Sequence, residues 1–303
     1  MNQQQAIEAD DLHKSFGRTH ALNGLTLHVN QGEVHGFLGP NGAGKSATMR
    51  ALLGQLRLDS GTARIFGHDC WSDGLAARRR IAYVPGDVSL WPGLSGGECI
   101  TALSRLQGSS NKARRAELIE RFQFDPSKRT RTYSKGNRQK VALVAALSAD
   151  VDMLMLDEPT SGLDPLMEAV FQQCVAEAKA KGQTVLLSSH ILSEVEALCD
   201  RVSIVRAGRI VNSGTLDDLR SQTRITITAT LPGATVNPFE GVDGVVDQKA
   251  DVVDGALEVE LTSKREALPE LLTILGQASP TAVTVRPPTL DELFLAEYSE
   301  DAR

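Results

Sequence analysis

The clearest chemical signal is an eight-residue run. Gly39-Pro40-Asn41-Gly42-Ala43-Gly44-Lys45-Ser46 fits the spacing GxxxxGK[ST]. An apolar run at 34–38 precedes it and a helical stretch at 47–53 follows. Glycines let a backbone wrap around a phosphate with its N–H groups turned inward. The N-terminus of the following helix adds partial positive charge. Lys45 is placed to reach β- and γ-phosphates, and the Ser46 hydroxyl to ligate Mg²⁺. The loop predicts nucleotide binding without choosing among ATPases, GTPases and kinases.

A second signal lies downstream. Met153-Leu154-Met155-Leu156 is four apolar residues, and Asp157-Glu158 follows directly. An aspartate at the end of a buried strand beside a phosphate loop suits the Mg²⁺ shell. The adjacent glutamate points elsewhere and can act as general base toward a water. Taken alone, the pair also fits a strand that simply ends in a polar turn.

These residues need a scaffold that brings strand ends together. Short apolar runs recur at 34–38, 81–84, 153–156, 184–188 and 202–205, with helical stretches at 78–80 and its flanks, 137–148, 165–180 and 192–198. Such runs predict strands buried on both faces, as in a parallel sheet. The segment 88–147 is mostly helical in pattern and rich in Arg and Glu, and is read as a helical insertion. After residue 220 the texture changes. Ile225, Ile227, Ala229 and Leu231 alternate with polar residues, the pattern of a half-buried strand. A strand at 253–261, an amphipathic helix at 264–275, a strand at 282–285 and a last helix at 289–298 follow. The expected division is therefore 1–220 and a smaller α+β domain, 221–303.

Composition narrows the class. The 303 residues are 41% hydrophobic and 23% charged, ordinary globular usage that excludes a disordered chain. The net charge of −6 and the 4% aromatic content argue against a nucleic-acid binder. The basic clusters at 78–80 and 128–131 read as solvated surface, with contact to a partner or to lipid head groups as the alternative. No apolar stretch is long enough to span a membrane. Cys70, Cys99, Cys174 and Cys199 are scattered without a CxxC pair, and the N-terminus lacks a secretory pattern. Reduced thiols in a cytoplasmic protein are expected.

Longer motifs resolve the ambiguity. The acidic pair opens Asp157-Glu158-Pro159-Thr160-Ser161-Gly162-Leu163-Asp164-Pro165. Ser134, in Tyr133-Ser134-Lys135-Gly136-Asn137-Arg138-Gln139-Lys140, stands 23 positions before Asp157. Ser188-Ser189-His190 places His190 32 positions after Glu158. In this order the chain resembles the nucleotide-binding subunits of ATP-binding-cassette (ABC) transporters over about residues 6–219. The tail, with Pro287-Pro288-Thr289-Leu290-Asp291-Glu292-Leu293-Phe294-Leu295, resembles the C-terminal extension of the ABC-2 exporter group, which includes drug and antibiotic efflux ATPases.

The resemblance implies an α/β fold of the P-loop NTPase type. It would comprise a mixed-sheet core, an antiparallel β subdomain and a helical insertion, with the small α+β domain appended. It implies ATP and Mg²⁺ as ligands, with Ser46 and Asp157 toward the metal. Glu158 and His190 would be catalytic, and Gly39 to Ser46 would bind phosphate. Phe16 would stack on adenine. Ser134, Lys135, Gly136 and Asn137 would form the signature that meets ATP across a head-to-tail dimer, and Asp164 would lie in the D-loop bridging it. The implied partners are a second copy or a paralogous cassette and a separate multi-helix membrane permease, without nucleic acid. The implied site of action is the inner face of the plasma membrane, as a peripheral cytoplasmic subunit. The alternatives are a soluble non-transport ABC ATPase and a weakly hydrolysing nucleotide sensor.

The chain departs from the pattern in places. Leu94-Ser95-Gly96-Gly97-Glu98 resembles the signature in wording but lies 62 positions before Asp157 at Ser95, and is expected to open the first helix of the insertion. Gly86 stands where most cassettes have glutamine. Either Asp87 or a water replaces that side chain, or coupling to the membrane subunit differs. Ala47 replaces a hydroxyl residue, which should weaken nucleotide binding by about 0.5–1.5 kcal/mol. Lys135 and Asn137 replace the first glycine and the terminal glutamine of the signature.

Overall fold

Side-chain burial explains the central sheet of the computed structural model, which describes residues 4–108, 111–221, 224–253 and 255–286. The strands β1 (Gln5–Phe16), β2 (Thr19–Asn30) and β3 (Val34–Leu38) come first, followed by α1 (Lys45–Leu52). Then come β4 (Ser60–Ile65), β5 (His68–Asp69), α2 (Gly74–Arg79) and β6 (Ile81–Val84). Three helices, α3 (Gly96–Gln107), α4 (Lys112–Arg121) and α5 (Lys135–Leu147), form the insertion and lead into β7 (Met153–Asp157). The order closes with α6 (Pro165–Ala180), β8 (Thr184–Ser189), α7 (Leu192–Leu198), β9 (Arg201–Arg206) and β10 (Arg209–Thr215). Every residue of β3, β7 and β8 is buried, as strands covered on both faces require.

The six-stranded sheet runs β10-β9-β3-β8-β7-β6, with parallel pairing from β9 through β6. The four-stranded sheet runs β2-β1-β4-β5 and is antiparallel. One core joins the two, with Leu25 and Ile65 from the antiparallel sheet, Met49 from α1, and Phe37 and Leu186 from the parallel sheet. Each such fully buried side chain contributes about 1.5–3 kcal/mol relative to exposure. α5 packs against α3 and α4, and its residues from Gln139 to Leu147 are all buried. Parallel strands end on one edge of the sheet. The register sets Leu38 beside Ser189 and Asp157 beside Ser188, so polar strand ends meet in a row.

The chain divides into two compact units, Met1–Ser213 and Gly214–Arg303. This division falls inside β10, ahead of the boundary expected after residue 220. The short helix α8 (Leu216–Ser221) clusters with the second unit, where the sequence pattern left it with the first.

The second unit holds β11 (Ile225–Pro232), β12 (Val245–Val253), β13 (Ala256–Ser263), α9 (Leu268–Ala278) and β14 (Ala282–Arg286). Its antiparallel sheet runs β12-β13-β11-β14. Ile227, Ala229 and Leu231 pair with Leu261, Val259 and Leu257 on one face, and Leu271 and Leu275 of α9 complete that core. The helix expected at 264–275 begins later than its sequence pattern, after a 3₁₀ turn at Arg265–Ala267. The helix expected at 289–298 lies outside the described residues.

Candidate active site

The phosphate loop sits between β3 and α1. Gly44 ends it with φ +116°, a conformation that side chains rarely adopt, and a Cβ there would lie 2.9 Å from the Ala21 carbonyl oxygen. The Lys45 side chain is only 5% exposed. Its ammonium donates to the carbonyls of Gly39 and Pro40, the latter at 3.1 Å, and lies 3.8 Å from Glu158 Oε1. Burial lowers its pKa below the usual lysine value, while the charges of Glu158 and Asp157 pull it back up.

Asp157 is held from two sides. The Ser46 hydroxyl donates to Oδ2 at 3.1 Å, and the Ser188 hydroxyl donates to Oδ1. Ser188 was not among the expected site residues. Its role follows from the pairing of β7 with β8, which no spacing in the chain encodes. Tyr83 is also close, its hydroxyl pushed up to about 12 by burial and by the Asp157 charge, so it stays neutral.

Glu158 turns out of the strand with φ +46°, a strained backbone for a residue with a side chain. The Ser188 carbonyl and hydroxyl accept its N–H, at 3.1 and 3.2 Å. This turn separates the two carboxylates, and Glu158 Oε1 comes 3.3 Å from His190 Nδ1. Lys45, Ser46, Asp157, Glu158 and His190 therefore form one connected cluster.

The signature residues meet a different segment. The Ser134 hydroxyl caps α5 by accepting the Asn137 N–H at 3.2 Å. Lys135 Nζ donates to the Ser161 hydroxyl at 2.7 Å. A Cβ on Gly136 would fall 2.3 Å from the Gly162 carbonyl oxygen, so only glycine fits. Asp164 caps α6, accepting the Met167 N–H at 3.0 Å. Among the described contacts, none joins 134–137 to the phosphate loop. Phe16, at the end of β1, is 54% exposed, with Lys14 Nζ 5.7 Å from its ring centroid.

The departures have local consequences. Ser95 opens α3 with a capping box to Glu98, a structural use of the signature-like wording. Thr48 does not replace the hydroxyl missing at Ala47, because its own donates to the Gly44 carbonyl at 2.9 Å. Gly86 lies against the acidic strand end, with a Cβ there 3.3 Å from the Asp157 carbonyl oxygen, and Asp87 is exposed. All four cysteines are buried and free. No helix among the described residues is long and apolar enough to cross a membrane.

A phosphate loop at a parallel strand end, beside a clamped aspartate and a glutamate–histidine pair, defines a P-loop nucleotide-hydrolysing cassette. Residues 22–161 match the ABC transporter family. The daunorubicin resistance ATP-binding protein DrrA3 of Streptomyces coeruleorubidus is 38% identical, over 98% of this chain and 97% of its own. The daunorubicin/doxorubicin resistance ATP-binding protein DrrA of Streptomyces peucetius is 41% identical over 72% of this chain and 67% of its own. Among solved structures, an ATP-binding subunit of an ABC transporter superposes with a TM-score of 0.68 at 33% identity, covering 72% of this chain and 92% of that one. The dimeric cassette MJ0796 shares the fold at 20% identity, with a TM-score of 0.64 over 69% of this chain and 98% of that one. The chain belongs to the ATP-binding subunits of ABC transporters, in the drug-resistance exporter group. It binds and hydrolyses ATP.

Proposed function

We propose that this subunit powers the export of a drug or antibiotic through a separate multi-helix permease, by ATP-driven pairing of two cassettes at the inner face of the plasma membrane. The carrying observation is the clamped Asp157, with Ser46 on one oxygen and Ser188 on the other. One hydroxyl and one carboxylate suit Mg²⁺, which uses few protein ligands and arrives with phosphates. When bound, the ion would neutralise charge on the β- and γ-phosphate oxygens.

The chain's own residues supply the rest. Lys45 leaves the Gly39 and Pro40 carbonyls for the β- and γ-phosphates. Glu158 takes a proton from the attacking water as general base, and His190 orients that water and the γ-phosphate. Ser134 to Asn137 present the N-terminus of α5 to the ATP of the partner cassette, and Asp164 faces the same dimer interface. Exposure of Phe16 suits an adenine platform. The cassette comprises about residues 1–220 and the remainder is an accessory domain.

The daunorubicin resistance relatives support the drug-export reading, and the dimeric cassette supports pairing. The test is purification of the full chain from its native membrane, followed by ATPase assay. A co-purifying multi-helix membrane protein and turnover lowered at least about a hundredfold by Glu158→Gln are expected. Ribosomes or DNA in its place, or equal turnover by both forms, would overturn the reading.

A further inference from the structure

Beside the catalytic cluster lies a buried carboxylate that the reading above does not use. Glu194, in the first turn of α7, is 6% exposed. Its Oε2 accepts the Ser189 hydroxyl at 2.6 Å. The same Ser189 oxygen accepts the Ile191 N–H at 2.9 Å. A glutamate at the third position of a helix ordinarily reaches back to the N–H of the capping residue. Here Ile191 is the capping residue and has no side-chain cap of its own. Glu194 therefore acts through the Ser189 hydroxyl, and His190 is the residue enclosed by this relay.

The other oxygen is distinctive. Oε1 is buried without a hydrogen-bond partner, a costly arrangement for a carboxyl. The Thr160 side chain, itself buried in the segment that follows Glu158, faces the same carboxyl. One buried group thus touches the turn that carries His190 and faces the segment that carries Glu158.

We infer that Glu194 is a positioning residue for hydrolysis, which through Ser189 fixes the turn presenting His190 to Glu158. This rests on the role of His190 given above. A group with a purely packing role would be replaceable by any side chain of similar volume. A positioning role needs an acceptor for the Ser189 hydroxyl, which glutamine retains and methionine lacks.

The test measures steady-state ATP turnover and nucleotide affinity of the full chain as wild type, Glu194→Gln, Glu194→Met, Ser189→Ala and His190→Ala. Glu194→Met should lower kcat at least tenfold with the Kd for ATP within twofold of wild type, and Glu194→Gln should recover most of the rate. Should Glu194→Met fail to fold, Ser189→Ala, which keeps the carboxyl and removes the relay, should show the same loss. Glu194→Met turning over like Glu194→Gln would overturn the inference. So would a wild-type rate in Ser189→Ala. If His190→Ala also turns over at the wild-type rate, the role of His190 falls first. Loss in His190→Ala alone overturns only the relay.

Discussion

The Ser46 hydroxyl donates to Asp157 Oδ2 at 3.1 Å, tying the first turn of α1 to the end of β7. This fixes the aspartate before any ligand arrives. Hydrogen bonds to a charged group contribute about 1.5–3 kcal/mol each, and Asp157 accepts two, from Ser46 and Ser188. Asp157→Asn keeps one acceptor and removes the charge. We expect Mg²⁺-stimulated ATP hydrolysis to fall at least a hundredfold, with a loss of about 1–3 kcal/mol in stability. A Mg²⁺ titration of activity and a thermal melt measure the two effects separately. Activity restored by excess Mg²⁺ would count against a direct role in holding the ion.

Glu158 occupies a strained backbone with φ +46° and sits 3.3 Å from His190. Strain of this kind costs about 1–3 kcal/mol and persists where the surroundings impose it. Glu158→Gln preserves shape and removes the proposed base. Turnover should drop by about 10²–10⁴, the usual contribution of a positioned base, while ATP affinity stays within a few-fold. Single-turnover hydrolysis beside equilibrium nucleotide binding decides the matter, and a parallel loss of binding would contradict the assignment.

Gly136 leaves no room for a side chain, since its Cβ would fall 2.3 Å from the Gly162 carbonyl. Backbone on one side and a helix start on the other cannot both yield. Gly136→Ala should cost about 1–3 kcal/mol, the range for overpacking, and abolish hydrolysis. Lys135→Ala loses one exposed hydrogen bond to Ser161 and should cost no more than about 1 kcal/mol. Equal melting temperatures for the two variants would show that the segments separate readily.

Much of this arrangement was legible in the chain. The helix at 165–180 appears with its expected bounds because Asp164 caps it and Pro165 begins it. The buried strands were legible because short, mostly apolar runs separated by helical stretches suit strands covered on both faces. β12 was not, because its residues Val245–Val253 are exposed almost throughout and alternate on neither face. Ser188 and Glu194 escaped notice for a different reason. Asp157, which Ser188 bonds, and Thr160, which faces Glu194, are distant from them in sequence, and only the register of β7 with β8 and the placement of α7 bring them close.

Burial, the largest influence on Glu194, raises its pKa above the ordinary carboxyl value of 4.5, and Glu168 adds to this. Ser189, Thr160 and His190 oppose it. Folding therefore favours the protonated form. The stability this group contributes is full below its unfolded pKa and is lost as pH rises through the raised folded value. Glu194→Gln does not titrate there. The melting temperature of wild type minus that of Glu194→Gln should decline as pH rises from about 4.5 toward neutrality. A constant or growing difference across that window would refute the prediction.

Ser134 and Ser95 provide a matched pair. Each caps a helix of the insertion, Ser134 by accepting the Asn137 N–H and Ser95 by accepting the Glu98 N–H, both at 3.2 Å. Removing either cap costs about 0.5–2 kcal/mol, so Ser134→Ala and Ser95→Ala should melt at similar temperatures. Their chemistry differs. Ser95 opens α3 and lies outside the cluster of Lys45, Ser46, Asp157, Glu158 and His190, whereas Ser134 begins the helix whose N-terminus is proposed to meet the partner's ATP. ATP turnover should therefore fall at least tenfold in Ser134→Ala and stay near wild type in Ser95→Ala. The comparison cancels the shared structural cost, so whatever loss remains reports contact with nucleotide across the dimer. Loss in Ser95→Ala with none in Ser134→Ala would reassign the signature to residues 94–98.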